Sequence, residues 1–355
     1  MANPDWACFP PDLLLLILKN LPSPSDFVSF HCVCKGWRSA ARQSDGSSSL
    51  PLLLDQHVFH DTRHLHFYSP FSIESRSIRI PKVGTKWVAG LSQGYLIAFD
   101  KVDFSLSLFN PFTQHSISLP PMAIEPFKLS SFRPYLLQNK ETVVISHLNQ
   151  RVLKLGCCKV GGQDWSFVSC KVGANGGGNV YYQGIYYVND SAEGPTMVID
   201  PATSDVLFTI SPPEERIPHL NSWKNSKGFD YLVESRMGLL RIFRPYDVFE
   251  SFKNCNFDIH QLVNKDGSFR WVKVGSIGDS IVFLDKFNGI CASTDGVGGM
   301  RGNCIYFTKY RLDGIYGWRG ILCRYDIASG DTVALPHCLE TRGSWFVPSL
   351  ATIPY

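Results

Sequence analysis

The sequence predicts a mainly β protein, a β-propeller of about six blades preceded by a small segment of three helices. Three observations lead to this prediction. Helical periodicity is confined to the first 45 residues, and short apolar runs bounded by Gly, Pro, Asn and Asp follow from about residue 50 onward. Within that second part, a unit with the same turn residues recurs along the chain.

The first helix is predicted over Pro10–Leu21, where Leu14, Ile17, Leu18 and Leu21 have the i, i+3, i+4, i+7 spacing of one apolar stripe. Leu13 and Leu16 make a second stripe on another face. One stripe can cover the other helices, and the second then needs a further surface. That surface is either this chain's own β domain or a partner protein.

Two more helices are predicted over Ser25–His31 and Val33–Gln43, and the polar run Asp45–Ser49 separates them from the β part. The predicted domains are therefore residues 1–45 and 46–355. A helical block this small cannot bury enough surface to be stable without a partner.

The repeated unit reads strand, strand, Asx turn, strand and a Leu-Pro or Pro-Pro stop. Its turns are at Asn110-Pro111, Asp200-Pro201 and Asp326-Ile327. In such a turn the Asn or Asp side chain accepts hydrogen bonds from the backbone that follows. Asn110 and Asp200 are two units of about 45 residues apart, a length typical of propeller blades, whereas a large β-sandwich has no reason to repeat. The run Trp345–Leu350 is expected to pair with the first strands and close the ring.

Composition excludes several classes of protein. The 355 residues include 34 Lys and Arg and 31 Asp and Glu. The resulting net charge of +3 is too small to indicate a nucleic-acid binder. The longest apolar run, Leu13–Leu18, is far too short to span a bilayer, and we expect neither a membrane anchor nor a signal peptide. The eleven cysteines are then expected to be thiols, with the protein in the cytoplasm and/or nucleus.

No catalytic, metal or cofactor site is predicted. His57, His60, His64 and His66 lie close together, but their neighbours favour a half-exposed strand over a metal site. Asp266-Gly267 before Trp271 favours a β-turn leading into a buried tryptophan rather than a sialidase-type motif.

Two motifs at the N-terminus resemble an F-box. They are Phe9-Pro10-x-Asp12-Leu13-Leu14 and Val33-Cys34-Lys35-Gly36-Trp37-Arg38, with Phe9 at a position where Leu is usual. The rest of the chain is similar to a plant F-box family with a KIB-type β-propeller. Looser motifs carry this second resemblance: Gly94-Tyr95-Leu96, Asn110-Pro111-Phe112-Thr113 and Leu284-Asp285-Lys286-Phe287, among others.

The resemblance implies a non-catalytic substrate-recognition subunit of an SCF-type ubiquitin ligase. The F-box would bind a Skp-type adaptor, the adaptor would bind a cullin–RING scaffold, and the propeller would bind a protein substrate. The residues expected to form or support the adaptor surface are Phe9, Pro10, Leu13, Leu14, Ile17, Leu18, Leu21, Val33, Cys34 and Trp37. The alternatives are a propeller hydrolase fused to an F-box and an F-box scaffold outside any ligase.

Overall fold

A computed structural model describes most of the chain. The described residues are 6–19, 21, 26, 29–30, 33–43, 51–55, 64–70, 75–79, 86–100, 102–122, 132–137, 140–149, 152–171, 178–189, 194–201, 203, 205–214, 228–245, 255–285, 288–294, 301–313, 317–339 and 343–349. All statements of absence or number below refer to these ranges.

The N-terminal segment contains a 3-10 turn, Trp6–Cys8, and the helices α1 (Pro11–Lys19) and α2 (Lys35–Gln43). Helix α1 begins where the Pro10 carbonyl accepts hydrogen bonds from the amides of Leu13 and Leu14, both at 3.1 Å. Pro11 has no amide hydrogen to donate, so it suits the first helical position.

The predicted middle helix is described only in part, and a count of three helices is not confirmed. Asp26, Ser29, Phe30 and Val33 are helical, but the bounds of their helix lie outside the described residues. The start predicted for the last helix, Val33, is wrong by two residues. Cys34 interrupts the helical run and caps α2. Its carbonyl accepts a hydrogen bond from the Arg38 amide at 3.0 Å.

The β part is a six-bladed propeller, as the sequence predicts. Blade 1 contains β1 (Leu52–Asp55), β2 (His64–Tyr68), β3 (Ser75–Arg79) and β25 (Gly343–Phe346); blade 2, β4 (Trp87–Ser92), β5 (Tyr95–Phe99), β6 (Ser105–Phe109) and β7 (Ser116–Pro121); blade 3, β8 (Phe132–Leu136), β9 (Thr142–Asn149), β10 (Val152–Lys159) and β11 (Ser166–Lys171). Blade 4 contains β12 (Asn179–Tyr182), β13 (Ile185–Asn189), β14 (Thr196–Ile199) and β15 (Val206–Ile210); blade 5, β16 (Gly228–Ser235), β17 (Gly238–Pro245), β18 (Asp258–Lys265) and β19 (Ser268–Lys273); blade 6, β20 (Ser280–Leu284), β21 (Gly289–Ser293), β22 (Cys304–Asp313), β23 (Gly317–Asp326) and β24 (Thr332–Leu339).

The Asx turns of the predicted repeat occupy equivalent places in alternate blades. The turn at Asn110 joins the last two strands of blade 2. The turns at Asp200 and Asp326 do the same in blades 4 and 6 respectively. The backbone amide of each donates to the carbonyl five residues on, at 2.8, 3.0 and 2.9 Å respectively. The Asn110 Oδ1 also accepts the amides of Phe112 and Thr113 at 3.0 and 3.2 Å. The side chain therefore caps the turn, which explains why the repeat retains Asn or Asp there.

The Asp266-Gly267 turn predicted ahead of a buried tryptophan is confirmed. It joins β18 to β19, and both residues have positive φ, 53° and 80°, as a two-residue type I′ hairpin requires. Trp271 on β19 is buried.

Blade 6 departs from the four-stranded unit that the repeat predicts. Its strand order is β21-β20-β22-β23-β24, and β20 runs parallel to β22. The chain forms the β20–β21 hairpin before it crosses to β22, which leaves β21 beside β16 of blade 5. The extra strand and its connections account for about half of the excess by which the spacing from Asp200 to Asp326 passes two blade units.

The core of the propeller lies between neighbouring blades. Between blades 4 and 5, for example, the buried apolar residues are Tyr187, Val198, Ile210, Leu232, Leu239 and Trp271. Each blade therefore buries both of its faces only when it has a neighbour on each side.

Strand β25 closes the ring by pairing antiparallel with β1, with Trp345 opposite Leu53. This confirms the predicted pairing of the C-terminal run with the first strands. The Trp345 indole is fully buried, donates to the Leu284 carbonyl at 3.0 Å and packs edge-on against Phe283. The Trp345 amide donates to the Asp285 carboxylate at 3.3 Å, so one residue joins blade 1 to blade 6.

We expect Trp345→Ala to destabilise the propeller by about 3–5 kcal/mol, because it opens a cavity at the closing contact. Trp345→Phe retains the ring but leaves the Leu284 carbonyl without its donor, and should cost about 1–3 kcal/mol. Urea unfolding followed by fluorescence measures both. The control is Val333→Ala on β24, a half-exposed position where the change should stay within about 0.5 kcal/mol. Equal stability of Trp345→Ala and the control would contradict this role for the closing strand.

We also expect residues 48–355 to fold without the helical segment, because every strand of the six sheets lies between Leu52 and Phe346. Far-UV circular dichroism of this fragment should show a β protein that melts at the temperature of the full chain. A fragment that is helical, or that aggregates until residues 1–47 are restored, would show that the two parts do not fold separately.

Candidate partner-binding surface

Helix α1 has apolar side chains on both its buried and its exposed sides. Leu14 and Leu18 are 2% and 4% exposed, whereas Leu13 and Leu16 keep 44% and 54% of their surface. The two stripes predicted from the sequence therefore separate into one that fills a core and one that faces outward. No helix in the described ranges is long and apolar enough to cross a membrane.

The buried stripe belongs to a small core between the helices. Its buried members are Leu14, Leu18, Phe30, Ala40 and Ala41, and Phe9, Ile17, Leu21 and Trp37 pack against them half-buried. Helix α1 contacts α2 across this core, and α2 also contacts the 3-10 turn.

Trp37 ties the N-terminal 3-10 turn to α2. Its indole Nε1 donates to the Trp6 carbonyl at 2.7 Å, and its ring centroid lies 4.5 Å from that of Phe30. The Trp6 ring in turn stacks on Phe9 at 5.4 Å. These contacts hold the residues that precede α1 in place, including the exposed Pro10.

The ten residues predicted to form or support the adaptor surface differ in how far they are buried. Pro10, Leu13 and Val33 are exposed, Val33 by 51%. Leu14 and Leu18 are buried and serve the core. The five others, Phe9, Ile17, Leu21, Cys34 and Trp37, are half-buried. Which of the ten contact a partner stays a prediction, and the exposed three are its strongest members.

Two exposed apolar residues were missing from the predicted set. Trp6 is 53% exposed and Leu16 is 54% exposed. The signal for Leu16 was its i, i+3 spacing from Leu13, which places both on one side of a helix. The alternative that this side packs on the chain's own β domain predicts burial, and Leu13, Leu16 and Val33 do not show it.

The histidines of the sequence analysis do not form one described site. His64 and His66 lie on β2 and alternate with buried Leu65 and Phe67, which confirms the predicted half-exposed strand. His57 and His60 lie outside the described residues. Across the described ranges no group of three or more His, Cys, Asp or Glu is placed to hold a metal ion.

The described cysteines include two thiols buried among the propeller strands. Burial raises the pKa of Cys158 and that of Cys323 to about 11. Both thiols are therefore protonated near neutral pH, and neither is the thiolate that nucleophilic chemistry requires.

A helical segment with an exposed apolar face precedes a six-bladed propeller, and matches to two protein families identify these two parts. The F-box domain family matches residues 6–46, and the KIB1-4 beta-propeller family matches residues 67–344. The chain belongs to the KIB1-4 beta-propeller family and carries an F-box.

The relatives found in Arabidopsis thaliana are named as F-box proteins. F-box protein SKIP23 is 31% identical over 136 residues, which span 36% of this chain and 32% of the relative. F-box/kelch-repeat protein At1g64840 is 25% identical over 353 residues and covers 86% of this chain and 85% of its own length. F-box protein At2g17036 is 57% identical over 37 residues, 10% of this chain and 9% of that protein.

Burial predicts unequal effects on stability for two adjacent leucines of α1. Leu14→Ala removes a core side chain and should destabilise the helical segment by about 2–5 kcal/mol. Leu13→Ala should change its stability by no more than about 0.5 kcal/mol. Hydrogen–deuterium exchange of peptides from residues 6–43 in the full-length protein measures both. Equal loss of protection in the two variants would contradict the separation into a core stripe and an outward stripe.

Proposed function

We propose that this protein is a substrate-recognition subunit of an SCF-type E3 ubiquitin ligase. Its F-box binds a Skp-type adaptor, which joins it to a cullin–RING scaffold, and its propeller binds the protein to be ubiquitinated. The observation that carries the proposal is the outward apolar surface of Pro10, Leu13 and Val33 on a folded F-box segment.

That surface suits a protein partner. Leu13 and Val33 each keep about half of their area in water, although a small helical segment has little apolar surface to spare. Covering such side chains is favourable at roughly 25 cal/mol per Å² of apolar area. Helices α1 and α2 and their shared core position the exposed residues on one segment.

In this role the protein has no reaction of its own. It holds a substrate lysine near a ubiquitin-conjugating enzyme and so converts an intermolecular transfer into an effectively intramolecular one. Catalysis then belongs to other subunits. The proposal also places the protein in the cytoplasm and/or nucleus, and the free thiols among its described cysteines suit a reducing compartment.

The double variant Pro10→Ala with Leu13→Ala tests the adaptor surface without touching the core. It should weaken binding of a purified Skp-type adaptor by about tenfold to a hundredfold, because two contact side chains are lost. Biolayer interferometry with full-length protein measures the change. The control is Val102→Ala, an apolar truncation at an exposed propeller position.

The control should bind the adaptor like the wild type, and all three proteins should melt together. Equal adaptor binding by the double variant and the wild type would contradict the proposed surface. Reconstitution with cullin–RING tests the scaffold alternative, since a scaffold outside any ligase would bind the adaptor but would not enter the larger complex.

A further inference from the structure

Strand β15, the outer strand of blade 4, exposes an unusual amount of apolar surface. Val206, Leu207 and Phe208 keep 43%, 50% and 37% of their area in water, and Ile210 alone of its apolar residues is buried. Three consecutive exposed apolar residues on a strand are unfavourable unless something covers them.

The backbone of β15 has a free edge. The strand lies last in the order β12-β13-β14-β15 and pairs only with β14 among the described strands. Its amides and carbonyls on the far side therefore have no partner strand in the part of the chain that the structure describes. An exposed edge of this kind is the template that an extended peptide uses when it adds to a sheet.

The described outer strands of blades 2 and 5 carry residues that normally block such pairing. These residues are Pro120 and Pro121 in β7 and Arg270 and Lys273 in β19. Proline removes a donor, and a charged side chain resists burial against a second sheet. Strand β15, with the sequence Val-Leu-Phe-Thr-Ile, contains neither.

The apolar surface continues onto blade 5. The Phe208 ring stacks on Phe269 of β19, with centroids 5.1 Å apart and planes at 18°. Phe208 lies opposite Val198, whose side chain belongs to the core between the two blades. Strand β15 is therefore packed against blade 5 through Phe208, and it offers an ordered surface.

The charge next to β15 in the chain favours a basic partner. The described residues between 194 and 214 include Asp200, Asp205 and Glu214 and no Lys, Arg or His, although the whole chain has a net charge of +3. Asp205 directly precedes β15 and Glu214 follows it by four positions, and both are exposed. This surface attracts Lys or Arg on a partner. A second copy of the same edge would instead bring acidic groups together.

We propose that β15 is the docking edge for an extended protein segment that is apolar in its middle and carries Lys or Arg at its ends. The segment adds to blade 4 as a fifth strand, with its apolar side chains on Val206, Leu207 and Phe208 and its basic residues near Asp205 and Glu214. The proposal deepens the proposed function, because this segment belongs to the substrate.

Fluorescence anisotropy with full-length protein tests the proposal. The probe is the labelled peptide Lys-Lys-Val-Ser-Val-Thr-Val-Lys-Lys. The first comparison peptide has Glu in place of every Lys, and the second has methyl groups on alternate backbone nitrogens. The protein variants are Leu207→Lys, the pair Asp205→Asn with Glu214→Gln, and the control Ser118→Lys at an exposed position of β7.

We expect the wild type and Ser118→Lys to bind the basic peptide equally, and Leu207→Lys to bind at least about tenfold more weakly. The double variant should bind more weakly than the wild type and depend less on salt, because charge attraction is screened. The acidic and the methylated peptides should not bind. A melt of each variant verifies that the propeller is intact.

Three results would overturn the proposal: no binding of the basic peptide to the wild type, equal loss in Leu207→Lys and Ser118→Lys, or full binding of the methylated peptide. Light scattering tests whether β15 binds a second copy of the chain instead. A wild-type dimer that dissociates in the Leu207→Lys variant would show that it does. The assay contains no adaptor, so its failure is distinct from failure of the F-box proposal, which the adaptor-binding measurement decides alone.

Discussion

The pairing of β25 with β1 is the contact on which the rest of the propeller depends. Each blade buries its two faces against its neighbours, so blades 1 and 6 are complete only when the two ends of the β domain meet. Trp345 makes two of the hydrogen bonds that close the ring. Its indole donates to the Leu284 carbonyl and its backbone amide donates to the Asp285 carboxylate, both in blade 6. The Asp285 carbonyl also accepts the Tyr231 hydroxyl of blade 5 at 2.8 Å, which extends the closing contact to a third blade.

A buried polar network sets the register of blades 4 and 5. Arg241 and Asp230 form an ion pair at 3.0 Å with side chains 3% and 2% exposed, and the Asn189 amide donates to the same carboxylate at 2.9 Å. The Asn189 Oδ1 accepts the Thr196 hydroxyl of β14, the strand that carries β15. Such a network adds little net stability but strongly disfavours arrangements that leave a charge unpaired. The network therefore links β13 and β14 of blade 4 to β16 and β17 of blade 5.

The F-box segment and the propeller satisfy the need to bury apolar surface in different ways. The ring supplies every blade with a neighbour. Apart from the three on β15, its described exposed large apolar residues are scattered over blades 2, 3, 5 and 6. The helical segment is too small to cover both stripes of α1, so Leu14 and Leu18 form its core while Leu13 stays outward. An incomplete burial is what suits a surface for association with another protein. The proposed division of labour, with the adaptor on the F-box segment and the substrate on the propeller, is consistent with this difference in size.

The sequence by itself determined the features that depend on near neighbours. Helix α1, the Asx turn at Asn110 and the F-box motif were predictable because periodicity, turn chemistry and motif spacing act within a few residues. Tertiary structure alone decided which motif residues fill the core, as Leu14 and Leu13 are alike in type and adjacent in the chain. It also decided the parallel pair of blade 6 and the open edge of β15. Those features depend on contacts between distant segments, and no local pattern records which strand becomes the neighbour of another.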